Sequence, residues 1–275
     1  MRAQIQLVMK TFKLVGMALA AILLCVNFTS CSKDDDPTEE PEEGGIVVSG
    51  KKLAQIVGTE TSEDGSYSET YAYVFNYDSQ GKLVQAVYSE EDDMYKDTRG
   101  YQFVWGDDAI KVNRVVGSGS SLTYNLNDKL VRNSDNGDTF SYNSSNKFAK
   151  GIYGSNKFAK VKFEYVVTAI WDGDKLVSIS RGEYDDVTLK YGNSCQKGYF
   201  PLIATMIQDN PEFCLLFMAH PEIAGLRTSQ LPTSVTITDD YSGETETSTI
   251  TYEFDKEGYI SKIKTSSSTY TLTWK

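Results

Sequence analysis

The chain has 275 residues, a net charge of −11 and a single histidine. The acidic balance argues against a nucleic-acid partner, whose phosphates demand a basic footprint. One histidine excludes zinc sites that need several.

Arg2, Lys10 and Lys13 form a positive region ahead of an uncharged apolar run over residues 14–26. This is the layout of a secretory signal, and about 13 residues fall short of the ~20 that span a bilayer as a helix. Cys25 follows the bulky Leu24, whereas Cys31 follows the small Thr29-Ser30 favoured at a cleavage site. The run Phe28-Thr29-Ser30-Cys31 resembles the bacterial lipobox, with Phe28 where Leu is usual. The resemblance implies a signal peptide over residues 1–30, an acylated Cys31 and a membrane as partner through that anchor. Loss of the three signal cations takes the charge to −14.

Residues 31–49 are acidic, with Pro37, Pro41, Gly44 and Gly45 among them. They bury nothing and read as a disordered tether. The stretch resembles the acidic export signal behind the lipid cysteine of Bacteroidetes lipoproteins, which implies an outer-membrane protein exposed on the cell surface. A merely soluble linker has the same composition.

Residues 50–275 read as a single β-hairpin-repeat domain. Phe75-Asn76-Tyr77-Asp78 through Gly81-Lys82-Leu83 sets aromatics at offsets 0 and 2, Asp at 3, Gly at 6 and an aliphatic at 8. The offsets return at Phe140, Tyr142, Asn143, Asn146 and Phe148, and at Tyr252, Phe254, Asp255, Gly258 and Ile260. Shorter relatives run from Phe103 to Ile110, Tyr124 to Leu130 and Trp171 to Leu176. Period-2 aromatics share one strand face. Asp or Asn opens a turn, Gly or Asn supplies a left-handed residue, and the aliphatic restarts the return strand on the same face. The expectation is mainly β: a large curved antiparallel meander of about 12 strands, which must curl or be covered.

These hairpins resemble the YD repeats of RHS-type proteins, and more closely a group of Bacteroidetes lipoproteins of unknown function built from such repeats. The resemblance implies architecture and address and brings no activity. Too few repeats are present for a closed RHS shell.

Residues 199–232 interrupt the alternation and hold four of the six prolines. Asp209-Asn210-Pro211-Glu212 reads as a helix start, with a capping side chain and Pro at the first helical position. The run from Phe213 to Met218 is apolar nearly all round, so that helix is buried, and Pro221 and Gly225 end it. A shorter helix over residues 201–207 precedes it. The expectation is one short helical insertion packed on one face of the sheet. Cys195 precedes this region and Cys214 lies within it; export allows a disulfide between them, and two buried thiols are the alternative.

Candidates for chemistry are few. His220, near the helix end, reads as facing the last carbonyls. Gly117-Ser118-Gly119-Ser120-Ser121 lacks the spacing of a nucleophile elbow or dinucleotide loop and reads as a hairpin connection. Glu90-Glu91-Asp92-Asp93 and Asp172-Gly173-Asp174 match no calcium loop. No catalytic residue, metal or cofactor is expected. The preferred function is a non-enzymatic, surface-anchored binding lipoprotein with a glycan or an envelope protein as partner. The alternative is a half-barrel lipid or lipoprotein carrier, its helical lid offering Phe213, Leu216 and Phe217 to a cavity. A glycan-cleaving enzyme with two converging carboxylates is third.

Overall fold

The computed structural model describes residues 51–62, 66–154, 164–182, 184–192, 199–208 and 210–275. Cys25, Cys31, the signal, the tether and Cys195 lie outside the described residues, as does Asp209. The chain divides into two units, 1–45 and 46–275, and the second holds every described residue.

Seventeen strands form one antiparallel sheet. They are β1 (Leu53–Thr61), β2 (Ser68–Tyr77), β3 (Leu83–Glu91), β4 (Lys96–Trp105), β5 (Ala109–Val116), β6 (Leu122–Asn127), β7 (Leu130–Ser134), β8 (Thr139–Tyr142) and β9 (Phe148–Gly154). Then follow β10 (Glu164–Asp172), β11 (Lys175–Ser180), β12 (Asp185–Lys190), β13 (Ser234–Asp239), β14 (Thr245–Thr249), β15 (Thr251–Phe254), β16 (Ile260–Lys264) and β17 (Ser268–Trp274). Neighbours in sequence pair in register from β1 to β14 and from β15 to β17. Only Ile250 separates β14 from β15, so they are two halves of one traverse, the first on β13 and the second on β16. The last strand returns to the first, with Leu53 facing Trp274 and Glu60 facing Ser268.

The mainly β antiparallel meander is therefore as expected, but the curve goes on to a nearly closed barrel of more strands. Closure removes the exposed edges that a curled sheet would leave. Short strands such as β7 and β8 carry too few alternating residues to stand out in sequence.

The repeat's chemistry explains the turns. Asp78 accepts backbone N–H bonds from Gln80 and Lys82, both at 2.9 Å, and Gly81 sits at φ +75°. Asn143 does the same for Ser145 and Lys147 with Asn146 at φ +57°, and Asp255 for Glu257 and Tyr259 with Gly258 at φ +88°. An Asx side chain that fixes the turn, followed by a left-handed residue, sets the hairpin register.

These turns gather at one end of the barrel, the turn end. The opposite end, the mouth, carries among others the connections from β1 to β2, β3 to β4, β11 to β12 and β13 to β14. Around the turn end, inward aromatics donate to the first carbonyls of neighbouring strands. Tyr77 donates to Leu53, Trp105 to Leu83, Trp171 to Phe148, and Trp274 to Ile260, at 2.7–2.9 Å. The lysine after the turn glycine or asparagine covers the next ring: Lys82 lies over Trp105 and Lys147 over Trp171.

The insertion enters and leaves at the turn end, between β12 and β13. Helix α1 (Ile203–Ile207) is followed by α2 (Pro211–Ala219) and a 3₁₀ turn (Pro221–Ala224). Pro211 opens α2 as expected, but Asn210 makes no side-chain capping bond. Phe213 through Met218 are all buried. Their partners come from separate parts of the wall. Phe213 meets Phe140 and Tyr153, Phe217 meets Tyr124, and the preceding Phe200 meets Tyr252. The inner face of the sheet thus wraps the insertion, which serves as a plug. Each large apolar side chain so buried contributes about 1.5–3 kcal/mol. Gly225 ends the 3₁₀ turn at φ +61°; a Cβ there would lie 2.4 Å from the Asn146 carbonyl oxygen and 2.7 Å from the Phe148 nitrogen.

The outer face is different in kind. Thr236 bonds Thr247 across β13 and β14, Asn125 bonds Asn133, and Glu253 pairs with Lys262 and Lys264. Val104, Val115 and Ile170 are exposed among them. A lipid-facing barrel wall carries a continuous apolar band, and a mid-membrane Lys costs about 2–4 kcal/mol. This barrel has apolar residues inside and polar residues mixed through its outside, the arrangement suited to water.

Candidate binding site at the mouth of the barrel

Above the plug, the inner face changes from apolar to polar because β1 to β4 end in charged residues. Alternation points Glu60, Glu69, Glu90 and Asp97 inward. Glu60 stands opposite Glu69, and Glu90 stands opposite Asp97. Like charges facing each other on adjacent strands are destabilising unless they find partners. Each has one. Tyr270 donates to Glu60, Tyr71 to Glu69, and Tyr88 to Glu90 at 2.6 Å, while Arg99 pairs with Asp97. Deeper in, Tyr101 donates to Glu212 at the start of α2 at 3.1 Å, and Arg114 lies over the Tyr101 ring.

Burial raises the hydroxyls of Tyr71, Tyr88 and Tyr270, and the adjoining carboxylates add to the rise. All three are therefore fixed donors at physiological pH. Burial also pushes Glu90 above the usual carboxylate range. The Tyr88 hydroxyl opposes that rise, and a hydrogen bond with Glu69 adds to it.

The mouth connections bear exposed large side chains. Tyr67, Met94, Tyr95, Tyr184 and Tyr241 are exposed, Met94 and Tyr241 almost fully, at 94% and 97%. Tyr67 bonds Asp92 and so links the first two mouth hairpins; the Asp240 N–H bonds the Tyr184 carbonyl and links two others. No residue among the exposed large apolar side chains lies in a turn-end connection of the described residues. These rim residues escape a search for alternation because they sit in turns. An aromatic among turn formers, as in Asp239-Asp240-Tyr241-Ser242-Gly243, is the signal that marks them.

The residues singled out from sequence fare unevenly. Glu90-Glu91-Asp92-Asp93 do not converge: Glu90 points inward, Glu91 pairs with Lys96, Asp92 accepts from the Met94 and Tyr95 N–H groups, and Asp93 is exposed. Gly117 to Ser121 connect β5 to β6, and Asp172-Gly173-Asp174 form the β10–β11 turn with Asp174 paired to Lys147. Cys214 is buried, its Sγ 3.0 Å from the Gln208 carbonyl oxygen. Its pairing with Cys195 falls outside the described residues, as does the lipidation site Cys31.

His220 corrects its expectation. Its ring does not face the helix carbonyls. Nε2 accepts the Leu83 N–H at 3.1 Å, Nδ1 lies 3.0 Å from Glu222, and the ring packs on Trp105. It ties the plug to the wall. Phe213, Leu216 and Phe217, which a carrier would turn to a cavity, are fully buried, and the two phenylalanines pack on each other and on wall aromatics.

Fold and site together define a plugged, nearly closed β-barrel with a polar exterior and a tyrosine-rimmed acidic mouth. Among solved structures, the chain is similar to a porin-like protein from Bacteroides uniformis, with a TM-score of 0.60 at 16% identity over 81% of this chain and 98% of that one. It is also similar to a porin-like protein from Bacteroides vulgatus, with a TM-score of 0.47 at 14% identity over 81% and 98% of the two chains. The first likeness shows the fold alone. No family model matches the chain, and no curated protein matches it in sequence.

Proposed function

We propose that this chain is a non-enzymatic binding lipoprotein of the bacterial outer membrane. It is held at the cell surface by acylated Cys31 and presents the mouth of its barrel to a ligand. The observation that carries the reading is the polarity of the barrel. Exposed tyrosines and Met94 lie on mouth connections, whereas none of the exposed large apolar side chains lies in a described turn-end connection. Tyrosine supplies rigid contact area with a hydrogen-bonding tip at low entropic cost, and Met94 and Tyr241 lie almost fully exposed beside it. The hairpins support kinship with the YD-repeat lipoproteins. Where the Bacteroides neighbour is described as porin-like, the polar exterior of this chain favours a barrel held outside the bilayer.

Glu69 and Glu90 are the specific observation in favour of glycan cleavage, since they share a hydrogen bond and burial pushes the Glu90 carboxyl above its ordinary range. That contact is closer than the ~5 Å separation a retaining glycosidase uses, so binding remains the better reading.

The test is a panel of immobilised glycans and purified envelope proteins probed with wild type and with a variant carrying Tyr67, Tyr95, Tyr184 and Tyr241 all changed to Ala. Exposed positions of this kind alter stability by roughly 0.5 kcal/mol or less each, so the variant should fold. The reading expects a wild-type ligand that the variant no longer retains. Equal retention by both proteins, or release of reducing ends from a glycan by wild type, would contradict it.

A further inference from the structure

We propose that the mouth rim is a docking surface for a basic protein segment, rich in Lys or Arg. This rests on the binding reading above and goes further by naming the partner's chemistry. The surface itself is the exposed arc of tyrosines and Met94 on four connections. In the order of the sheet these connections are continuous, the short Ser-rich hairpin between β16 and β17 lying between the two linked pairs.

Charge decides what that arc fits. The same connections and the strand ends beside them carry Asp93, Asp240, Glu244 and Glu246, all exposed, above the inward Glu69 and Glu90. The cations there are engaged: Lys96 pairs with Glu91, Arg99 with Asp97, and Arg181 with Asp185. Asp92 and Asp239 are held below the usual carboxylate range by backbone N–H groups of their own turns, so both keep their charge. At the other end, Lys82, Lys147, Lys175 and Lys275 cover the aromatic rings and temper the turn acids. Among the described residues, the barrel is thus negative at the end where its tyrosines are exposed.

An anionic polymer or lipid surface would be repelled by that end, and a second copy docking mouth to mouth would set acid against acid. A neutral glycan would stack on the tyrosines but gain nothing from the excess carboxylates. A basic segment uses both: its alkyl stems and guanidinium planes pack on tyrosine faces while its charges meet the acids.

The probe is a fluorescent peptide of alternating Lys and Ser, with its Gln/Ser counterpart as control, titrated by anisotropy against the folded protein. Wild type is compared with Asp93→Asn/Asp240→Asn/Glu244→Gln/Glu246→Gln at the mouth and with Asp107→Asn/Asp108→Asn/Asp128→Asn/Asp172→Asn at the turn end. One exposed ion pair is weak, so four acids are removed together. The mouth variant should therefore bind about tenfold more weakly, the turn-end variant should match wild type, and added salt should erase the difference. The inference is overturned if the peptide fails to bind, or if the two variants weaken it equally, as diffuse attraction would. A glycan lost by the tyrosine variant but kept by the mouth-acid variant would sink this inference while leaving the binding reading standing.

Discussion

Truncating Phe217 to Ala separates a plug from a lid. The side chain is fully buried, with its ring centroid 4.4 Å from that of Phe213 and 5.7 Å from that of Tyr124. One partner belongs to α2 itself and the other to β6, so the ring joins the insertion to the wall. A barrel wall held by continuous strand pairing cannot collapse into the space a lost phenyl ring leaves, so the full cavity cost applies. Phe-to-Ala changes in such cores cost about 3–5 kcal/mol. At ~2–4 °C per kcal/mol for a domain of this size, the melting midpoint should fall by roughly 10 °C. The assay is thermal and urea unfolding of the ligand-free, unacylated protein, with an unchanged urea slope as the sign that stability alone has moved. A loss under ~1 kcal/mol would refute the reasoning. It would mean that the ring borders open space, as the lid of a carrier requires.

Other expectations follow from single contacts. His220→Leu leaves the buried Leu83 N–H without its acceptor and should cost about 1–3 kcal/mol in urea unfolding; His220→Gln, which keeps an acceptor, should lose less, and equal losses would deny the bond its role. Gly225→Ala forces a Cβ against the backbone of residues 146–148 at a left-handed φ, and should cost ~1–3 kcal/mol or block folding; a neutral result would contradict the close approach. Glu90 has a folded pKa raised above its unfolded value, so it binds its proton more tightly in the native state. It therefore favours folding at low pH, and that contribution is lost as pH rises through the raised folded value. Glu90→Gln should gain stability relative to wild type as pH rises from about 4.5 toward neutrality, and a pH-independent difference between the two would count against the shift.

The hairpins were legible because their chemistry is local. The aromatic pair, the Asx side chain and the left-handed Gly or Asn all act within ten residues, and Phe75 through Leu83 shows each part in place. The buried helix was legible for a similar reason, since Pro211 marks its start and Phe213 to Met218 leave no polar face. Closure was not legible. It depends on the pairing of Leu53–Thr61 with Ser268–Trp274, which are more than 200 residues apart and carry no mark of one another. His220 was misjudged because its partner Leu83 lies 137 residues away, and the helix terminus was the only neighbour visible in sequence. Of the mouth carboxylates, only Glu90 stands in an acidic run along the sequence. Glu60, Glu69 and Asp97 become a row only when four strands align, and alternation turns Glu91 away from Glu90. The tyrosine rim was hidden by position: turns are read for Gly, Asp and Asn, and their aromatics pass unnoticed.

On the proposed function, a water-exposed barrel would depend on acylation of Cys31 for its place in the envelope. Fractionation of cells producing Cys31→Ala tests both halves together. The expected result is a folded protein released from the membrane fraction, because the outer wall bears Thr pairs, Asn125 with Asn133 and Glu253 with its lysines in place of an apolar band. A Cys31→Ala protein that stayed in the membrane after high-salt washing would contradict it, since the strands themselves would then be holding the chain in the bilayer.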